Sequence, residues 1–208
     1  MDLAARPERH RRAGPIVLAA LIAALAAGAG AYWWGSVAAA ATPGPTSPEA
    51  GFARDMQVHH IQGVELALVV RDRTGDPDMR RMAYDMATTQ GHQAGQLYGW
   101  LAAWGLRQLG SQPPMTWMGH GEHGMNALMP GMATPEQMAG LSAASGVEAE
   151  RTFLTLMITH HRGALEMSEA VIARSEHPAV VAFASGVLAS QRSEIDLMTR
   201  MLKDRGGR

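Results

Sequence analysis

One stretch of this chain is written twice. Residues 52–67 read FARDMQVHHIQGVELA and residues 153–168 read FLTLMITHHRGALEMS. A shift of 101 positions lays Phe52 on Phe153, Met56 on Met157, His59 and His60 on His160 and His161, and Glu65 on Glu166. The register continues without a gap through Pro77 and Pro178, Ala83 and Ala184, Gln90 and Gln191, to Leu101 and Leu202. Of the 50 aligned positions 11 are identical, a modest share, so the unbroken register and the repeated M-x-x-H-H carry the inference. Such a chain is an internal duplication of a two-helix unit, with Met and His at matched places in each copy.

Helical periodicity says where those residues point. At about 100° per residue, Phe52, Met56, His59, Gly63, Leu66 and Val70 fall near one line, with His60 beside it. Phe153, Met157, His160, Ala164, Met167 and Val171 do the same in the second copy, with His161 beside them. This is the face that must pack, so the histidines belong with the core residues. Glu65 and Glu166 point away from it. On the partner helices the inward stripes are Met82, Met86, Gln90, Gln93, Leu97 and Trp100, and Phe183, Val187, Gln191, Glu194, Met198 and Met201. The Gln and Glu on these stripes need partners, and the reading is that they hydrogen-bond the histidines or a loop backbone.

Boundary signals give the elements. Helices are expected over 50–73, from Pro77 to Trp104, over 135–144, over 147–174 and from Pro178 to Lys203. Asp76 and Thr134 serve as N-caps, each followed by a proline at the first helical position. Gln137, three residues after Thr134, completes a capping box. No stretch reads as a strand. The fold class is therefore all-α: a ferritin-like four-helix bundle over 51–205, built from a duplicated helix pair.

The N-terminal part is of another kind. Residues 1–14 hold four arginines and form a basic cytoplasmic N-terminus, while 16–34 carry no charge and end in Tyr32-Trp33-Trp34. Nineteen helical residues span about 28 Å, close to the hydrocarbon core of a bilayer. The segment 15–34 is read as a single-pass transmembrane anchor, the alternative being a signal peptide cleaved near Ser36-Val37-Ala38. Both leave the rest of the chain outside the cytoplasm. Residues 35–50, rich in Ala and Pro, form a tether.

Composition narrows the chemistry. The chain has no Cys, which excludes disulfides and thiolate metal sites, but 15 Met and 9 His. A net charge of −1 with no basic stripe gives no reason to expect nucleic acid. Between the repeats, the loop 112–133 holds Met115, Met118, His120, His123, Met125, Met129 and Met132 among glycines. Some of these methionines can lie over the bundle as a lid. Thioether with imidazole also suits copper, Cu(I) in particular. Zinc would more often recruit Cys or carboxylate alongside His. Di-iron bundles use Glu-x-x-His pairs that neither copy has. The ligand set read from the sequence is Met56, His59, His60, Met157, His160 and His161, with His120, His123, Met125 and Met167 as auxiliary candidates. The loop is expected to be mobile until metal orders it. No catalytic constellation is present.

These residues resemble the bacterial family catalogued as domain of unknown function 305, ferritin-like bundles found outside the cytoplasm. The resemblance covers about 50–204. It rests on F-x-x-x-M-x-x-H-H at 52–60 and 153–161, on Gln90 and Gln191, and on the Met-rich stretch leading into Thr134-Pro135-Glu136-Gln137-Met138. It implies copper binding through the motif positions, and a link to copper tolerance. The chain departs from the family's usual look at Leu66, where Met is expected as at Met167, and at Gly63, where Ala is common. That departure implies a weaker first site. The reading is extracytoplasmic copper buffering, storage or tolerance, with copper ions and the membrane as partners and no protein partner indicated. The alternatives are a ferritin-like metal-dependent oxidoreductase, separated by oxygen consumption, and a structural bundle with no metal.

Overall fold

The computed structural model describes residues 42–119 and 128–206. They form five α-helices, α1 (Pro48–Arg73), α2 (Pro77–Ala103), α3 (Pro135–Ala143), α4 (Gly146–Ile172) and α5 (Pro178–Asp204), with a 3-10 turn at Thr116–Met118. No strand occurs among the described residues. The expected spans hold to within two or three residues. The segment 15–34 lies outside the described residues, and among those described no helix is long and apolar enough to cross a membrane.

The caps predicted at Asp76 and Thr134 form, and Asp76 accepts from the amides of Asp78 and Met79 around Pro77. Ser47, at the end of the expected tether, adds a third by accepting from the amide of Ala50, so the first helix begins at Pro48. Thr134 and Gln137 close their capping box at 3.2 and 2.8 Å. Each such cap removes orphan helix donors and is worth about 1 kcal/mol.

Two hairpins result, α1 with α2 and α4 with α5, and α1 packs against α4. The core shows the direction of that packing. One apolar cluster joins Phe52 and Met56 to Ala164, Met167, Val171 and Val187; the other joins Leu66 and Val70 to Phe153, Leu154, Met157 and Met198. The N-terminal half of α1 therefore lies against the C-terminal half of α4, so these helices run antiparallel about a pseudo-twofold axis. Between the clusters lies a buried polar layer of His59, His60, Gln90, His160, His161 and Gln191. All four central helices contribute to it, each at the residue that the 101-position shift pairs with its counterpart.

The same shift repeats a lock at each corner. After α1, Thr74 donates to Glu150 at 2.5 Å and accepts from the amide of Asp76; Arg205 donates to Glu150 at 2.5 Å and pairs with Asp76. After α4, Ser175 accepts from the amide of His177 and lies beside Glu49, while Trp104 packs on His177 at 5.6 Å. Glu49, Thr74, Asp76 and Trp104 are the counterparts of Glu150, Ser175, His177 and Arg205. The duplication thus reaches beyond 52–101 on both sides.

Candidate metal centre

All four motif histidines and both motif methionines are wholly buried. The rings form a row across the pseudo-twofold axis. His59 and His160 lie 3.8 Å apart at 31°, and His60 and His161 flank them at 6.2 Å each.

The hydrogen bonds fix the protons on three rings. His160 Nε2 lies 2.8 Å from the carbonyl oxygen of His59, and His59 Nε2 lies 3.0 Å from that of Pro130. A carbonyl can only accept, so both Nε2 atoms carry the hydrogen and both Nδ1 atoms present a bare lone pair. His161 Nε2 donates in the same way to Glu194 Oε2 at 2.6 Å. The Nδ1 atoms of His59, His160 and His161 are buried and have no hydrogen-bond partner, and neither ring nitrogen of His60 has one. Gln93, the counterpart of Glu194, lies beside His60. Of the stripe residues expected to hydrogen-bond a histidine or a loop backbone, Glu194 does so, whereas Gln93 makes no hydrogen bond to His60 and Gln90 reaches Met157 instead.

Burial, reinforced by the neighbouring imidazoles, pushes His60 and His160 down to about 3 and holds His59 well below its ordinary value. These three rings are therefore neutral at physiological pH, the form that ligates metal. An unpartnered buried polar atom costs about 1–3 kcal/mol. A layer that keeps several of them at matched positions is a poor design for a core and a workable one for a metal. Among the described residues, however, no three His, Asp or Glu side chains are grouped so as to hold an ion by themselves. A site here needs imidazole completed by thioether.

The thioethers sit on both sides of the layer. Met157 Sδ accepts a long contact from Gln90 Nε2 at 3.9 Å. Gly63 leaves the space for Gln90, since a Cβ there would stand 2.1 Å from Gln90 Oε1. Antiparallel packing also changes what Leu66 means. Leu66 falls in the cluster with Met157, and Met167 in the cluster with Met56. The missing methionine is therefore lost from the side of Met157, whereas the sequence alone placed the deficit beside Met56.

The described parts of the Met-rich loop lie against the bundle. Met115, Met118 and Met129 are buried in the cluster with Met56. Asp55, a buried carboxylate on α1, accepts from the amide of Met115 at 2.7 Å and from Trp117 Nε1 at 2.8 Å, and Arg174 donates to the carbonyl of Met118. At the far end, 129–133 crosses the α1–α4 seam as a strap. Gln62 donates to the carbonyl of Ala133 at 2.9 Å and accepts from its amide at 2.7 Å, while the carbonyl of Pro130 accepts from His59 Nε2–H. Gly163 permits this approach: a Cβ there would stand 1.9 Å from the oxygen of Pro130. Gly131, at φ 79°, could not carry a side chain either. Buried polar anchors and apolar methionines thus hold both described ends of the loop to the bundle, as the lid reading expects. His120, His123 and Met125 lie outside the described residues.

The sequence reading missed Asp55, Gln62, Glu150 and Arg205. Glu150 had a signal, because Glu49 stands at the same offset. Gln62 had none, because its counterpart is Gly163 and the strap has no counterpart at all.

Comparison with known proteins follows the same outline. No curated protein matches the chain. A DUF305 protein of Streptomyces coelicolor, described as a candidate secreted protein, is 46% identical with a TM-score of 0.75, over 79% of this chain and 98% of that one. A DUF305 fragment from Deinococcus radiodurans is 31% identical with a TM-score of 0.64, over 76% and 96%. CopM, solved in Cu(I)-, Cu(II)- and Ag-bound forms, shares the fold. Its Cu(I)-bound form is 19% identical with a TM-score of 0.57, over 76% of this chain and 96% of that one. The sequence model described as Domain of unknown function (DUF305) matches residues 49–202, and the chain belongs to that family.

Proposed function

We propose that this protein binds copper outside the cytoplasm, as a buffer or store, in the polar layer at the middle of its bundle. The ligands are Nδ1 atoms of His59, His160 and His161, a nitrogen of His60, and the thioethers of Met56 and Met157, with Met167 auxiliary on the side of Met56. One observation carries the reading. Three buried imidazoles give Nε2–H to an oxygen and leave Nδ1 without a partner, the arrangement in which a second oxygen orients a metal-binding histidine. The donor set is neutral imidazole and soft thioether, which favours Cu(I) and needs no thiolate. The copper- and silver-bound forms of CopM, on the same fold, support the choice of metal. The description of the Streptomyces coelicolor relative supports a location outside the cytoplasm. Anchoring by residues 15–34 is part of the proposal.

The test is titration of the purified protein with Cu(I) against a competing chromogenic chelator, with oxygen consumption followed in parallel. Tight uptake without turnover is expected. Iron or manganese uptake with oxygen consumption would replace this reading by a ferritin-like oxidoreductase, and no uptake of any metal would leave the layer structural.

A further inference from the structure

The four long helices do not close evenly. α1 meets α2, α4 meets α5 and α1 meets α4 by close backbone approach, whereas α2 and α5 face each other across a wider seam. At one end that seam is filled by Trp100 against Phe183, 5.3 Å apart. Towards the other end lies a groove of about 560 Å³ between α2 and α5. Met82, Met86 and Met201 line it, with Asp85, Glu194 and Asp204. Two more carboxylates on its rim are already neutralised, Asp78 by Arg81 and Asp76 by Arg205. Asp85, Glu194 and Asp204 have no Lys or Arg partner among the described ion pairs.

An acidic rim alone would not single out this groove. Glu194 does. Its side chain is 29% exposed, yet its Oε2 lies 2.6 Å from Nε2 of His161, which is wholly buried. It is thus in the groove and on the polar layer at once. The oxygens that hold His59 and His160 are backbone carbonyls, fixed in place. Of the three partners, Glu194 is the side chain, able to rotate between the groove and the ring.

We propose that the α2–α5 groove is the route by which copper reaches the interior, with Glu194 at its inner end, where rotation of the side chain off His161 Nε2 lets the ion pass to the bare Nδ1 of that ring. This deepens the copper reading and rests on it. The uncompensated carboxylates raise the local concentration of a cation. The thioethers of Met82, Met86 and Met201 offer a soft, neutral stopping place from which Cu(I) exchanges onto imidazole. Only ligands are exchanged: the ion binds the bare Nδ1, Nε2 keeps its hydrogen, and no electron is transferred.

The experiment separates rate from affinity. Cu(I) is supplied as a chromogenic chelate, and its loss is followed by stopped flow on the wild type and on Glu194→Gln, Glu194→Asp, Met82→Leu with Met86→Leu, and Glu148→Gln as an exposed control elsewhere. Thermal melts check folding. Loading by Glu194→Gln is expected to slow about tenfold and to lose much of its salt dependence, at the lower end of electrostatic steering effects. Glu194 also holds His161, so some affinity is lost with it, but Gln keeps an oxygen for the Nε2–H and the loss of affinity should be smaller than the loss of rate. Glu194→Asp should recover part of the rate, the double Met variant should also load slowly, and Glu148→Gln should match the wild type. Unchanged loading rates in folded variants that bind copper fully would overturn the route and leave the function standing. Weakened affinity at an unchanged loading rate would make Glu194 a mere support for His161 and overturn it too. If the wild type takes up no copper, the functional reading fails and the route with it.

Discussion

His160 gives its Nε2–H to the backbone carbonyl of His59, 2.8 Å away across the pseudo-twofold axis, and the two rings lie 3.8 Å apart. Each is the counterpart of the other in the duplicated sequence. The bond is not returned, because His59 donates its own Nε2–H to the carbonyl of Pro130 of the strap. The two copies therefore form one shared layer, and a change in either copy should be felt by the other.

That sharing can be tested by paired substitutions. His59→Ala with His60→Ala, and His160→Ala with His161→Ala, should each lower Cu(I) affinity by at least about 100-fold, or 2.7 kcal/mol. Neither pair should leave the other copy's site intact. Titration against a chelator, with helicity checked by circular dichroism, decides the matter. Full affinity in both folded variants would make the histidines structural.

A thioether comparison follows from the packing. On the facing central helix Met56 has Met167 in its cluster, whereas Met157 has Leu66, the other buried methionines of its cluster (Met79, Met82, Met86 and Met198) lying on α2 and α5. Met157→Leu should weaken Cu(I) binding more than Met56→Leu, because Met167 remains near the latter as a substitute. Leu and Met have similar volumes, so stability should change by less than about 1.5 kcal/mol. Equal losses of affinity would show that the second methionine on the Met56 side contributes nothing.

The strap makes a separate forecast. In Gly163→Ala the new methyl would meet the carbonyl of Pro130 at 1.9 Å, and helix backbone cannot yield to it. The strap has to lift, at a cost of about 1–3 kcal/mol, as for other overpacked sites. Hydrogen exchange should then rise at the amides of Met132 and Ala133, which are bonded to Met129 and Gln62. Unchanged protection there would mean that the strap is held by its methionines alone.

Much of this architecture is legible from period and punctuation. Asp76-Pro77 and Thr134-Pro135 mark helix starts because capping and proline geometry are local properties of the chain. The burial of His59 and His160 follows from their angular position beside Phe52 and Phe153. The antiparallel meeting of α1 and α4 is not local, and so the neighbour of Leu66, Met157 of the other copy, is not legible from the sequence. The strap is harder still. It depends on Gln62 and Gly163 forming one slot from two helices, although their sequence positions carry unrelated residues.

The corner locks predict an asymmetric stability. Glu150 is buried against Thr74 and Arg205, and Arg205 also holds Asp76. Glu150→Ala strips a nearly buried guanidinium of one carboxylate, which should cost about 3 kcal/mol, at the lower end for a broken buried pair because Asp76 remains. Glu49→Ala, where the matching positions hold Trp104 and His177, should cost about 1 kcal/mol. Urea denaturation of the metal-free protein gives both values. Equal losses would mean that Arg205 adds nothing to its corner.

The buried imidazoles also set a pH dependence for the metal-free protein. Burial holds His60 and His160 at about 3 in the folded state, whereas both titrate near 6.5 when exposed. Well above pH 6.5 neither state binds these protons, and the two residues leave stability flat. As pH falls below 6.5 the unfolded chain takes up protons that the folded chain refuses, so stability drops. The decline continues to about pH 3, where folded and unfolded states become equally protonated. Each such histidine can contribute up to about 1.4 kcal/mol per pH unit within that window. Thermal melts of the metal-free protein should therefore fall steadily from pH 6.5 towards pH 4. His60→Leu should flatten the slope by about one proton, since a side chain of related size then fills the place without a site to protonate. Bound Cu(I) should hold the melting temperature up to lower pH, because it favours the folded state and competes with protons for the same nitrogens. A melting temperature independent of pH between 6.5 and 4 would show that the layer admits water and protons freely, and that these rings are not sealed in the core.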